Sequence, residues 1–257
     1  MRRCGLRDVW SKGQGAIGGW CAIGSGFVAE VMANQGWDCV TIDTQHGLIG
    51  YSEMLAMLQA VSTTEATALV RVAWNTPGEI MRALDAGAAG IICPMISSPA
   101  EAEAFVGACR YPPQGYRSSG PTRASLFHGP DYMERANDEV IALAMIETRE
   151  GLDRVEEIAS TPGLDGIYVG PSDLSLALGG PPGQDSQDPM RLQAFEKILA
   201  ACRKAGIKAG VHTGGVAYSQ QMLAMGFDLV SVGSDTRFLG AGRREAADMR
   251  GWLKGRG

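Results

Sequence analysis

The sequence predicts a (β/α)8 TIM barrel forming a single domain over residues 1–257. Three observations lead there. Short apolar runs rich in strand formers recur eight times, each too short for a helix. Helical patterns with explicit start signals separate them, so strand and helix alternate almost without a break. Eight such units in 257 residues fit the usual size of this barrel. An open doubly wound sheet is the alternative reading of the same alternation.

A short helix comes first. The strand-like runs are AIGGWCAI (16–23), DCVTID (38–43), TALVRV (67–72), GIICPM (90–95), IALAMIE (141–147), DGIYVG (165–170), IKAGVH (207–212) and DLVSVG (228–233). Between them, Thr76-Pro77-Gly78-Glu79 and Ser98-Pro99-Ala100-Glu101 each combine an N-cap, a first-turn proline and a capping-box glutamate. Asp188-Pro189 opens another helix in the same way, and Thr148 caps a helix expected over 149–159. No linker, low-complexity tract or strong internal repeat interrupts the pattern. The longest irregular segment, 111–138, carries Arg117 and Arg123, placed either to meet an anionic substrate or to pair with surface acids.

A formal charge of -5 argues against a general nucleic-acid or membrane-surface binder. No apolar stretch reaches transmembrane length and the first residues lack a signal-peptide core, so cytoplasmic is the default expectation. The six cysteines form no CxxC pair, and Cys21, Cys39 and Cys93 fall inside strand-like runs, which reads as buried, reduced thiols.

Catalytic groups in such barrels stand at the C-terminal ends of the strands. Collected there are His46, Arg71, Pro94, Glu147, Asp173 and His212. Glu147 and Asp173 end consecutive parallel strands across one β-α-β unit, so both carboxylates emerge at one edge. Side by side they repel, and a shared divalent cation is the economical reason for the pair. Two oxygen ligands suit Mg²⁺ or Mn²⁺ completed by water and substrate; the alternative is a pair of helix-capping carboxylates. His46, in Asp43-Thr44-Gln45-His46, has neighbours able to orient its ring and the chemistry of a general base. Arg71 closes an apolar run and calls for an anion, either a substrate or a rim acid. Asp85 lies near a helix C-terminus, where the dipole disfavours it, so a partner such as His46 is expected. His212 reads as a packed strand end or a ligand. His128 carries no usable signal. Gly214-Gly215 and Gly233-Ser234-Asp235 occupy the usual barrel phosphate position, a weak signal that Asp235 opposes. The lysines are Lys12, Lys197, Lys204, Lys208 and Lys254, and only Lys208 lies in a strand, near its start. Schiff-base chemistry needs a lysine in the site, so that mechanism is set aside.

The segments WDCVTIDTQHG, ALVRVAWNTPGEIMRALDAGAAGIICPMI, MIETREGL and GIYVGPSDLSLALG, in that order and spacing, resemble the HpcH/HpaI aldolase family. The likeness runs from about residue 13 to 240. It implies a metal-dependent pyruvate aldolase on a (β/α)8 barrel, hexameric, with a C-terminal helix exchanged between subunits. It implies Mg²⁺, Mn²⁺ or Co²⁺ held by Glu147 and Asp173, His46 as base, Asp85 as the acid raising that histidine's basicity, and Arg71 steadying an enolate. Ser172 matches the position whose backbone amide meets the pyruvate carboxylate, with Asp173 beside it. Met145 departs from a glutamine common in the family, which removes a substrate hydrogen bond. The expected reaction cleaves 4-hydroxy-2-oxo acids to pyruvate and an aldehyde. An acyl-CoA lyase, a phosphoenolpyruvate-type enzyme and a silent oxo-acid binding protein are the alternatives.

Overall fold

Each strand-like run forms a strand, seven of them trimmed by a residue or two and the eighth shifted by one residue to end at Ser234. The computed structural model describes residues 4–255. Its strands are β1 (Ala16–Cys21), β2 (Cys39–Asp43), β3 (Thr67–Arg71), β4 (Gly90–Cys93), β5 (Ile141–Ile146), β6 (Gly166–Val169), β7 (Lys208–His212) and β8 (Leu229–Ser234). All pair in parallel in sequence order, and β8 returns to β1 to close the barrel. Helix α1 (Gly5–Ser11) precedes β1; α2 (Gly26–Ala33), α3 (Tyr51–Val61) and α4 (Pro77–Asp85) follow β1, β2 and β3 in turn. After β4 come α5 (Pro99–Cys109), α6 (Thr122–His128) and α7 (Tyr132–Glu139). β5 is followed by α8 (Arg149–Asp153) and α9 (Val155–Ala159), β6 by α10 (Pro171–Ala177) and α11 (Pro189–Ala205). α12 (Val216–Met225) follows β7, and α13 (Asp235–Gly240) and α14 (Gly242–Lys254) follow β8.

Strands buried on both faces need apolar residues on both, which is why the runs are continuous rather than alternating. Outward residues such as Val40, Ile91 and Val211 join the helices in one large core. Inward residues Trp20, Cys39, Leu69, Ile92, Leu143, Met145 and Tyr168 fill the barrel itself, and Leu6 and Trp10 of α1 plug its N-terminal end. Cys21, Cys39 and Cys93 are free and buried, as expected, and so are Cys4, Cys109 and Cys202.

The helix starts follow the sequence signals with one exception. Ser98, Thr148 and Asp188 accept the amides of Glu101, Gly151 and Met190 at 3.3, 3.0 and 2.9 Å. Thr76 makes no such bond, and Pro77 alone sets that start. The helix expected over 149–159 is broken at Arg154 into α8 and α9.

The segment 111–138 is a correction: α6 and α7 occupy much of it. Its arginines face the protein, not a ligand. Arg117 is 1% exposed, donates to Asp85 Oδ1 at 2.7 Å and to the Tyr132 hydroxyl at 2.9 Å, and lies over the Tyr111 ring. Arg123 donates to the Ala86 carbonyl that ends α4. The short polar-flanked helices lack a long apolar stripe, so periodicity misses them.

A repeat also emerges that spacing hides. Gly36-Trp37-Asp38, Gly163-Leu164-Asp165 and Gly226-Phe227-Asp228 each lead into an even-numbered strand, with the glycine at φ of 87, 80 and 114°. In each, the aspartate accepts an amide of the preceding strand: Ile17 at 2.8, Ala142 at 2.8 and Ala209 at 3.0 Å. The aspartate's own amide donates back to the same residue's carbonyl. Asp165 carries more, since buried Arg110 and Arg7 both bind it, at 2.7 and 2.6 Å. Asp165→Ala should therefore lower stability by about 3 kcal/mol, because it strands the Arg110 charge. Asp38→Ala should cost about 1 kcal/mol, the worth of one hydrogen bond. Chemical denaturation of the two variants checks the order.

Candidate active site

Parallel pairing in register sets Asp43 of β2 directly beside Arg71 of β3. Arg71 donates to both oxygens of Asp43, Nε to Oδ1 at 2.9 Å and Nη2 to Oδ2 at 2.5 Å. Asp43 also accepts Trp20 Nε1 at 3.2 Å and the backbone amides of Gln45 and His46 at 3.1 and 3.2 Å. Burial would raise this carboxyl's pKa, but Arg71, Trp20 and the His46 amide hold it below the ordinary carboxylate value. Arg71 lies 4.9 Å over the Trp20 ring, and His212 meets the same ring edge-on at 4.7 Å. The expectation that Asp43 and Gln45 orient the His46 ring is corrected: Asp43 binds the backbone of that turn, and the buried Gln45 Oε1 has no partner among the described residues.

Glu147 stands one residue past β5 and is buried. Its Oε1 accepts the Met95 amide at 2.9 Å. Met95 has φ of 59°, a left-handed backbone uncommon outside glycine, and this turn aims its amide across β4 to Glu147. Gly170, at the start of α10, comes so close that a Cβ there would overlap Glu147 Oε2. Burial first, then the nearby charge of Asp173, pushes the Glu147 pKa up to about 7, against the Met95 bond. Asp173 sits in the first turn of α10, after Pro171 and Ser172.

These groups share one mouth. A cavity of about 400 Å³ at the C-terminal end of the barrel is lined by His46, Arg71, Glu147, Ser172, Asp173 and His212, with Trp20, Asp43 and Met145 among its other walls. Asp85 is not brought to this rim within the chain. It ends α4, whose C-terminus leads into the opposite end of β4, and its carboxylate is taken by Arg117. The Arg71–Asp43 pair is the rim-acid alternative left open by the sequence. Asp235 is turned away from the mouth, accepting the Ala22 and Ile23 amides at 2.9 Å. His212 is half-buried; burial, then Arg71, brings its pKa down to about 4, so its ring is neutral near pH 7. Trp20, Met95 and Gly170 were not singled out from sequence. Alternation in AIGGWC places Trp20 inward, but only the register and turns reveal what it touches.

A closed parallel barrel with an arginine, two histidines and a carboxylate pair at its C-terminal mouth has the form of an enzyme of the (β/α)8 class. The family model for HpcH/HpaI aldolase/citrate lyase matches residues 17–240, and the chain belongs to that family. It is similar to a hydroxypyruvate/pyruvate aldolase of Rhizorhabdus wittichii, 39% identical over 246 residues covering 95% of this chain and 98% of that protein. It is 35% identical to a 4-hydroxy-2-oxo-heptane-1,7-dioate aldolase of Salmonella dublin, covering 94% and 92% of the two chains. A solved HpcH/HpaI aldolase/citrate lyase family structure from Burkholderia cenocepacia superposes with a TM-score of 0.84 at 33% identity, covering 91% of this chain and 94% of that one. Both curated relatives are named as aldolases. No helix among the described residues is long and apolar enough to cross a membrane.

The close approach at Gly170 makes a specific prediction. Gly170→Ala displaces the Glu147 carboxylate, the flexible end of a side chain, more easily than it distorts the barrel. Aldol cleavage should fall by about a hundredfold, as a displaced site group commonly costs, while the thermal midpoint barely moves. Steady-state kinetics beside calorimetry reads both.

Proposed function

We propose a divalent-metal-dependent aldolase that reversibly cleaves 4-hydroxy-2-oxo acids to pyruvate and an aldehyde. The observation that carries this reading is Glu147, a buried carboxylate beside a second carboxylate and bound by a single backbone amide. The one cation acting on its ionised form, Arg71, is hydrogen-bonded to Asp43 instead, and a cation between Glu147 and Asp173 would compensate the pair directly. Among the described residues no cluster of three or more His, Cys, Asp or Glu forms a metal site. A two-carboxylate set completed by water and substrate suits Mg²⁺ or Mn²⁺, with Co²⁺ as a substitute, better than a closed zinc or calcium cage. When bound, such an ion supplies Lewis acidity to the 2-oxo group.

The chain's own residues do the rest of the work in this reading. The first-turn amides of α10, Ser172 included, have no intrahelical partner and suit the substrate carboxylate. Arg71, fixed by two bonds to Asp43, presents its remaining donors to the developing enolate oxygen. In cleavage His46 takes the proton from the C4 hydroxyl as the C3–C4 bond breaks and the aldehyde leaves, a proton from solvent at C3 of the enolate then gives pyruvate, and in synthesis His46 returns its proton to the aldehyde oxygen. Asp85 enters this reading as the partner of Arg117 within its own chain. Met145, buried in the mouth, offers the substrate no hydrogen bond.

A homo-oligomer, a hexamer with α14 exchanged between subunits, belongs to the same proposal. Helix α14 buries none of its residues and exposes Met249, Trp252 and Leu253. An apolar groove of about 420 Å³ between α2 and α13 exposes Phe27, Val31 and Leu239.

Two measurements test the chemistry. In D₂O with pyruvate and Mg²⁺, the methyl protons should exchange, and EDTA or Glu147→Gln should stop it; exchange that survives both removes the metal from the mechanism. Glu147 must lose its proton to bind a cation. Below its pKa of about 7, Mn²⁺ affinity should therefore fall by about tenfold per pH unit, and level off above it. Calorimetric Mn²⁺ titrations from pH 6 to 8.5 should give that curve, with a flat one for Glu147→Gln.

A further inference from the structure

The mouth is not uniform. On the β5–β6 side stand the two carboxylates; on the β7–β8 side the wall of the main cavity is polar and carries no carboxylate. There the main cavity runs into a second one of about 330 Å³, the two sharing Gln184, His212, Ser234 and Thr236. None of these four is charged near pH 7, since the His212 imidazole is held neutral.

The free hydrogen-bonding capacity lies on two of the four. Ser234 and Thr236 hydroxyls are 3.0 Å apart, and Ser234 also accepts the Arg237 amide. By contrast, the His212 ring and the Gln184 amide have no hydrogen-bond partner among the described residues. The His212 ring is nonetheless fixed, because its position at the end of β7 and its edge-on contact with Trp20 define its plane. Gln184 is held over the same space by its loop: Asp185 accepts the Gly214 amide at 2.6 Å, and Ser186 accepts the Tyr218 hydroxyl at 3.0 Å. Arg237, the one cation at this end, already donates to the carbonyls of Gly214 and Val232. The four residues shared by the two cavities therefore form an uncharged donor–acceptor surface, and the Arg237 guanidinium, held by carbonyls that leave its charge in place, lies beyond them in the outer cavity alone.

We propose that His212, with Gln184 beside it, is the specificity-determining group for the aldehyde, and that it selects small neutral hydroxyaldehydes. This rests on the aldolase reading above, which places the oxo-acid part of the substrate by the carboxylates and Arg71. The remaining part then extends along the β7–β8 wall. A hydroxyl beside the aldehyde carbon meets a ring nitrogen that otherwise has no partner, whereas an alkyl chain of the same size leaves that nitrogen unpaired and dry.

Glycolaldehyde and propanal differ by little more than a hydroxyl in place of a methyl, so they form the test pair. With pyruvate as donor, kcat/KM should favour glycolaldehyde by about tenfold or more in the wild type. His212→Phe keeps a ring against Trp20 and should reduce that ratio to near one. His212→Gln, which retains a donor and an acceptor, should recover part of it, and it stands in if the Phe variant does not fold. A ratio unchanged in both variants overturns the inference, as does a wild-type preference for propanal. A wild-type preference for succinic semialdehyde over glycolaldehyde also overturns it, and assigns the outer cavity to an anionic tail. The pyruvate exchange in D₂O separates the two levels. Exchange with an unchanged aldehyde ratio defeats the role of His212 alone, while absence of exchange defeats the aldolase mechanism and this inference with it.

Discussion

The mouth of the barrel depends on one buried carboxylate, that of Asp43. Five hydrogen bonds converge on it, from Arg71 twice, Trp20, Gln45 and His46. Burying a charge is costly unless it is paired and its lone pairs are filled, and here both conditions hold. The consequence is geometric. β1 contributes Trp20, β2 Asp43 and β3 Arg71, and the turn that carries His46 is fastened by its own backbone. Arg71 cannot swing away without leaving Asp43 uncompensated, so its remaining donors are fixed before any substrate arrives.

Glu147 is the counterpart, and it is treated in the opposite way. It too is buried, but it accepts one amide, has the like charge of Asp173 nearby, and meets Arg71 only through its field and not through a hydrogen bond. Even that amide is obtained at a cost, since Met95 must adopt a left-handed backbone to present it. A carboxylate satisfied by Arg71 or an equivalent would be more stable and would be useless as a ligand. The two acids therefore divide the mouth: Asp43 is paired within the chain, and Glu147, in the reading proposed above, is the one that would take a charge from outside it.

Much of this was legible in the sequence. A strand buried on both faces is a continuous apolar run, and a proline after Ser98 or Asp188 marks a helix start wherever it sits, so the eight units could be read without structure. Rim residues follow from the ends of those runs, which set His46, Arg71, Pro94, Glu147, Asp173 and His212 together, whereas Ser172 comes from the family resemblance alone. Contacts between elements are another matter. Asp43 faces Arg71 because of a parallel register that no single segment encodes. Asp85 and Arg117 lie 32 residues apart, joined only by the packing of the segment after α5 against the end of α4. That segment read as a loop because α6 and α7 are short and have no long apolar face.

The Gly–apolar–Asp turns explain why that segment is there. Three of the four turns into even-numbered strands tie the N-terminal end of the barrel with an aspartate, the end where such folds keep their stability rather than their chemistry. The turn into β4 has the glycine, Gly87 at φ of 100°, but Ala88-Ala89 follow it and no carboxylate is present. Ala89 keeps the backbone bond to the Ala68 carbonyl and lacks the side-chain one. At this position alone α6 closes over the turn: Arg123 takes the Ala86 carbonyl, and His128 Nε2 lies 3.3 Å from the Gly87 carbonyl. Two carbonyls of the fourth turn are thus met from outside the barrel. On this argument the segment with Arg117, Arg123 and His128 is a structural brace for the β4 unit, which accounts for three charged or titratable side chains that the mouth does not use.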